Sequence, residues 1–297
     1  MTSSNDILTR FLLPEAGVRG VHVRLPDSWT EILSHASYPP AATRLLGEAC
    51  VASALFTGHT KIDGRLSIQL RSPGPLRTLF AECTAAGTVR GIVQLQDGAD
   101  APTDLAQLGE QAMLAITIEN PGLDPREPQR YQSLVALNAS DLDEAFEDYF
   151  RQSEQLPTRL LLAADGNRAA GLLLQKLPGD SGDDDGWARA GALFDTLGRD
   201  ELLGVDGEQL LHRLFHEEAA ELVGTKALRF GCSCSRERVA GMLESLGEEE
   251  ATAAVQDNGL AEVRCEFCGQ QYHFSLTDIG VIFGRGVPQQ PAPERLQ

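Results

Sequence analysis

The chain has 297 residues, 42% of them apolar and 6% aromatic, which suits a packed main domain with a smaller unit and excludes wholesale disorder. Its net charge of −18 comes from 43 acidic and 25 basic residues, with three lysines among the basics. That balance opposes nucleic acid as a partner, because such binding rests on phosphate neutralisation. The start, MTSSNDILTRFLLPEAG, lacks the basic residues and long apolar run of a secretory signal, and no stretch approaches the ~18 apolar residues of a membrane span. A soluble, cytoplasmic protein with no membrane partner is expected.

The alternating VRGVHVRL, Val18 to Leu25, predicts a strand with one buried face. After the Tyr38-Pro39-Pro40 break, AATRLLGEACVASALFTGH has helical spacing and small residues and predicts a buried helix, with Cys50 as a core residue. RLSIQLRS, LRTLFAECT and TVRGIVQL follow as hairpin strands punctuated by Pro73-Gly74-Pro75 and Ala86-Gly87, and Cys83 sits in the middle one as packing. MLAITIEN, the turn PGLDPREPQ and YQSLVALN continue the pattern. DLDEAFEDYFRQSEQ predicts a helix capped at Ser140 or Asp141, and TRLLLAAD-GN-RAAGLLLQKL a closing hairpin. Strands and helices alternating irregularly around hairpins indicate an α+β domain with a mixed or antiparallel sheet over residues 1–178.

Composition then shifts. GDSGDDDG is an acidic break, followed by WARAGALFDTLGRDELLG and DGEQLLHRLFHEEAAELVG, both read as glycine-interrupted helices with modest apolar faces. Such helices need docking to be stable, and their docked face would comprise Leu193, Phe194, Leu197, Leu202, Leu210, Leu211, Leu214 and Phe215. Residues 179–229 are therefore predicted to be a helical linker, residues 230–287 a small C-terminal domain, and the Pro- and Gln-rich residues 288–297 a disordered tail.

The C-terminal domain carries four of the six cysteines, as Cys232-x-Cys234 and Cys265-x-x-Cys268. Two close pairs separated by a short helical insert, SRERVAGMLESLGEEEATAAVQDNG, are what one tetrahedral Zn²⁺ per chain needs, each pair giving two thiolates from one local turn. In a reducing compartment clustered cysteines are metal-bound, catalytic or redox-sensing rather than a disulfide framework. AEVRCEFCGQQYHFSLTDIG resembles a zinc-ribbon hairpin running into a helix. Arg229, Arg236, Arg238 and Arg264 lie near the cysteines in sequence and are expected to favour thiolates. Spacing alone leaves a structural staple and a redox switch both open.

Other chemistry is sparse. His212 and His216 stand four apart, but Arg213 occupies the place of the glutamate in the metalloprotease pattern. Asp183 to Asp185 read as a solvated acidic run, and Glu82 with Arg90 as an ion pair. No phosphate-binding loop, dinucleotide fingerprint or nucleophile-elbow serine is present, so a non-enzymatic role is expected. The competing readings are an enzyme or a nucleic-acid-binding protein with a purely structural zinc ribbon.

DYFRQSEQLPT (148–158), LLHRLFHEE (210–218), RFGCSCSRERV (229–239), CEFCGQQYHF (265–274) and the hairpin run GPLRTLFAECTAAGTVRG resemble the bacterial redox-regulated heat-shock chaperone family, the 33 kDa chaperonins or HslO family. The resemblance runs from near the N-terminus to about Gly286. It implies an ATP-independent holdase for unfolding client proteins, inactive when reduced and zinc-bound through Cys232, Cys234, Cys265 and Cys268. It further implies activation by the disulfides Cys232–Cys234 and Cys265–Cys268 with loss of zinc, and a homodimeric active form.

Overall fold

The computed structural model describes residues 5–99, 101–122, 128–179, 182–256 and 259–284. Part of the PGLDPREPQ turn, part of the acidic break and the C-terminal tail lie outside the described residues. The chain divides into two compact units, Met1–Gly231 and Cys232–Gln297.

In chain order the first unit comprises β1 (Ile7–Leu13), β2 (Val18–Arg24), α1 (Pro26–Ser34), α2 (Pro40–His59), β3 (Arg65–Arg71), β4 (Leu76–Thr84), β5 (Thr88–Leu95), β6 (Met113–Asn120), β7 (Gln129–Val135) and α3 (Leu142–Ser153). It continues with β8 (Thr158–Ala164), β9 (Ala169–Lys176), α4 (Gly186–Phe194), α5 (Arg199–Gly204), α6 (Gly207–Phe215), β10 (Glu221–Ala227) and β11 (Arg229–Phe230). The second holds α7 (Arg236–Leu246), α8 (Glu248–Gln256), β12 (Ala261–Arg264), β13 (Gln271–Phe274) and α9 (Leu276–Ile282). The fold is α+β, as the irregular alternation implied.

Two sheets build the first unit. One is antiparallel, in the order β10-β1-β2-β9-β8; the other runs β11-β5-β4-β3-β6-β7, antiparallel except where β11 joins β5. Between them lies α2, buried almost continuously from Ala42 to Phe56 because small and apolar residues occupy most of its circumference. Cys50 and Cys83 belong to this core, and burial raises both thiols, Cys83 to about 11, so neither is a ready thiolate. The approach of β5 to α2 requires glycine at 91, where a Cβ would lie 2.6 Å from Cys50 Sγ. Glu82 faces Arg90 across β4 and β5, Oε1 to Nε 3.0 Å, as the ion pair read from sequence.

A second core covers the opposite face of the five-stranded sheet. Phe11, Leu13, Val18, Leu172 and Leu174 meet Phe194, Leu197, Leu202, Leu210, Leu211, Leu214 and Phe215 from α4–α6 and their connections, with Leu193 half-buried at the margin. The apolar face expected to dock is docked. Polar contacts reinforce it: Arg199 of α5 lies 2.8 Å from Asp143 and 3.5 Å from Asp141, beside the buried Glu48. Asp183 and Asp185 pair with Arg189, which also holds the buried Glu218 at 2.9 Å.

One element differs from expectation. The segment read as helical to Gly224 stops at Phe215, makes a short 3₁₀ turn over His216–Glu218, and turns out through Ala219 in the left-handed region, φ 49°. ELVGTKA then forms β10, pairing antiparallel with β1 from Ile7↔Ala227 to Leu12↔Glu221. Val223 and Thr225 suit a strand, and a free ladder edge on β1 overrides the helical reading of the local sequence.

Candidate metal centre

Cys232 and Cys234 occupy the extended stretch between β11 and α7. The Ser235 side chain ends that stretch by accepting the Arg238 N–H at 3.3 Å as the N-cap of α7. Cys265 and Cys268 occupy the turn that joins β12 to β13. There the Cys265 N–H donates to the Gln270 carbonyl and the Gly269 N–H to the Cys265 carbonyl, each at 2.8 Å. Gly269 takes φ 67°, a left-handed value that glycine adopts without strain. The hairpin register, Ala261↔Phe274 to Arg264↔Gln271, fixes the turn's length.

Beneath the cysteines is a small core: Val239, Leu243, Ala251, Val255, Ala261, Phe274 and Ile279. Arg236 caps it, with its guanidinium 4.3 Å over the Phe274 ring, 2.8 Å from the His273 carbonyl and 3.0 Å from Asp278. Ser275 and Asp278 form a reciprocal capping box at the start of α9.

The four Sγ atoms lie within 4.8 Å of one another, with Cys234 and Cys268 at 3.3 Å and Cys232 and Cys265 at 3.6 Å. A tetrahedron of sulfurs each ~2.3 Å from a central Zn²⁺ has edges of about 3.8 Å, so the arrangement fits a four-thiolate ion. Among the described residues no other group of three or more His, Cys, Asp or Glu side chains converges this way. His212 and His216 stack at 5.5 Å, with His216 Nδ1 bonded to the His212 carbonyl, and among the described residues gather no third ligand.

Electrostatics set Cys234 apart from Cys232 and Cys268. Burial is the largest influence and raises Cys232 and Cys268. At Cys234 burial is outweighed by the Tyr272 hydroxyl, which donates to Sγ at 3.2 Å, and by the neighbouring thiols, bringing it to about 7. The sequence pointed to arginines for this role. Of these, Arg236 is committed to Phe274 and Asp278 and Arg229 donates to the Ala86 carbonyl, while the Tyr272 hydroxyl, which the sequence reading passed over, does reach a sulfur. Its signal was the alternation in QYHF: Tyr272 and Phe274 share one face of β13, one over the sulfurs and one in the core.

Comparison with known proteins places these features in company. The family model for the Hsp33 protein matches residues 6–275. A 33 kDa chaperonin of Azotobacter vinelandii is 43% identical over 99% of both chains, and one of Ectopseudomonas mendocina 43% identical over 98% of this chain and 99% of its own. In fold, the chain resembles the crystal structure of a 33 kDa chaperonin (heat shock protein 33 homologue) from Thermotoga maritima. The TM-score is 0.73 at 22% identity, covering 93% of this chain and 97% of that one.

Proposed function

The chain belongs to the Hsp33 family of 33 kDa chaperonins, and from that membership we propose that it is a redox-switched, ATP-independent holdase for unfolding proteins. The observation that carries the switch is the convergence of Cys232, Cys234, Cys265 and Cys268 over a core too small to stand alone. A bound Zn²⁺ would supply a cross-link between the two cysteine segments, worth on the order of 10–16 kcal/mol in small zinc domains.

The thiolates are also the oxidant's targets. Each pair gives up two electrons as its S–S bond forms, and a peroxide accepts them and, with two protons, leaves as two waters. Either disulfide removes two of four ligands, so ligation and the fold of the second unit fail together. Residues 179–229 then act as the releasable linker: α4–α6 leave the five-stranded sheet and expose the apolar face of their shared core to clients. The active form is a homodimer working in the cytoplasm, with no catalytic residues.

We assign the disulfides as Cys232–Cys234 and Cys265–Cys268. The reduced arrangement also brings sulfurs of different segments close, Cys234 to Cys268 at 3.3 Å and Cys232 to Cys265 at 3.6 Å, as a shared ion would need. Once ligation fails, closing a loop over one or two residues is easier than rejoining two mobile segments. Peptide mapping of the peroxide-treated protein is expected to recover neighbour pairs; predominant Cys232–Cys265 or Cys234–Cys268 would overturn the assignment.

The deciding experiment measures metal and thiols beside aggregation. Reduced protein should hold about one zinc per chain, lost with four thiols on oxidation, while Cys50→Ser leaves the metal content unchanged. Light scattering of a thermally unfolding client should be suppressed by the oxidised form alone. Equal suppression by the reduced form, or a folded second unit without metal, would sink the proposal.

A further inference from the structure

Although acids outnumber bases 43 to 25, one pocket of the first unit carries cations alone. It has a volume of about 200 Å³ and is bounded by the C-terminal end of α2, β1, β10 and the end of β4. Arg10, Lys61 and Lys226 line it, the last two being two of the chain's three lysines, and no aspartate or glutamate does.

Part of this charge has a structural use. The C-terminal end of α2 carries about half a negative charge, and Lys226 donates to the Ala85 carbonyl. Those two demands do not absorb three positive charges. Among the described residues, neither the Arg10 guanidinium nor the Lys61 ammonium has an ion-pair or hydrogen-bond partner. Thr57 donates to the Ser53 carbonyl and Thr84 shares a hydrogen bond with Thr88, which leaves the Thr60 hydroxyl as an uncommitted neutral donor.

We propose that this pocket binds a small free oxyanion of the phosphate class, orthophosphate or pyrophosphate, between Arg10, Lys61 and Lys226. A guanidinium offers a planar pair of donors to two phosphoryl oxygens, and the lysines supply compact charges from the other side. Pockets for drug-sized ligands run ~300–1,000 Å³, so this one takes a free anion rather than a nucleotide. The anion would bridge β1, the residue pair after α2, and the edge strand β10, and its binding would stabilise the first unit by mass action. Nothing in the assignment depends on the redox switch.

The test is isothermal titration of the reduced, full-length protein with orthophosphate, pyrophosphate and ADP at fixed ionic strength. One saturable site per chain is expected for orthophosphate or pyrophosphate, with ADP at least tenfold weaker than pyrophosphate. Lys61→Gln and Arg10→Gln, both at exposed positions, should each weaken binding at least tenfold while keeping the wild-type circular dichroism spectrum. Lys176→Gln, which removes the lysine outside the pocket, should leave it unchanged. Absence of saturable binding, wild-type affinity in the Lys61 and Arg10 variants, or equal weakening by Lys176→Gln would overturn the site. ADP binding as tightly as pyrophosphate would overturn its assignment to a free anion.

Discussion

His22 lies on β2 beneath the first residue of α6, fully buried, with neither ring nitrogen hydrogen-bonded. A Cβ at 207 would come within 2.8 Å of its Nδ1, so Gly207 is what lets the helix start so close. Burial, then the Arg24 charge, lowers the imidazole to about 4, with Asp206 pulling weakly the other way. A base with a depressed folded-state value contributes its full stability above its unfolded value near 6.5, and loses it as pH falls toward 4. Between pH 7.5 and 5 that loss amounts to about 2 kcal/mol. Other groups titrate in the same range, among them the buried Glu48, which burial raises to about 7 against Arg44 and Arg199. The comparison is therefore with His22→Leu: urea unfolding at the two pH values should show the wild type losing about 2 kcal/mol more than the variant. Equal losses would mean His22 is not what acid acts on. Sequence gave no hint of this residue, because VHV alternation places His22 on a strand but cannot say that α6 will cover it.

At the scale of elements, α4–α6 are held by their docked face and little by their own propensity. The glycines that interrupt α4–α6 in sequence fall mostly at helix ends: Gly198 is the N-cap of α5, Gly204 its last residue and Gly207 the first of α6. Gly191 alone lies inside a helix, with nothing within 4 Å of where a Cβ would be. Gly191→Ala should therefore stabilise the docked state by roughly 0.5–1 kcal/mol and delay activation by peroxide. Phe215→Asp should act the other way. Phe215 is fully buried and stacks on Phe11 at 5.9 Å, so the change removes a large core side chain and buries a carboxylate, costing more than ~3 kcal/mol if the helix stays docked. Client binding without oxidant in Phe215→Asp, and later activation in Gly191→Ala, are the expected outcomes of the light-scattering assay. Most elements were legible where periodicity was strong, as in α2, the β3–β5 meander and the β8–β9 hairpin. β1 went unassigned although it pairs along its length with the neighbouring β2, and β10 was misread because it is a strand by virtue of pairing with β1 at the other end of the first unit, a non-local fact that short windows cannot carry.

For the whole molecule, the proposed switch requires that a change at four sulfurs reach an apolar face on another sheet. The cluster of four cysteines was readable because paired cysteines at these spacings have few other uses, whereas Tyr272 needed the register of β12 and β13 to place it over Cys234. Chain connectivity offers a short route: β10 and β11 lead from α6 to Cys232, with Gly231 as the sole residue between β11 and that cysteine. β11 contributes two residues to the edge of the six-stranded sheet, and β10 is an edge strand exposing Leu222 and Val223. Both are the kind of element that opens at low free energy, unlike α2 and the strands around it. Hydrogen exchange before and after peroxide should then show a gradient. The second unit loses protection first, then β11, β10 and α4–α6, while α2 and the inner strands β2, β3, β4 and β9 keep theirs. The inner strands serve as the internal reference, since their protection reports global unfolding. If client binding appears while α4–α6 keep their reduced-state protection, the helices are not the lid and the client surface lies elsewhere. If the inner strands lose protection together with α4–α6, oxidation unfolds the first unit outright and there is no selective release.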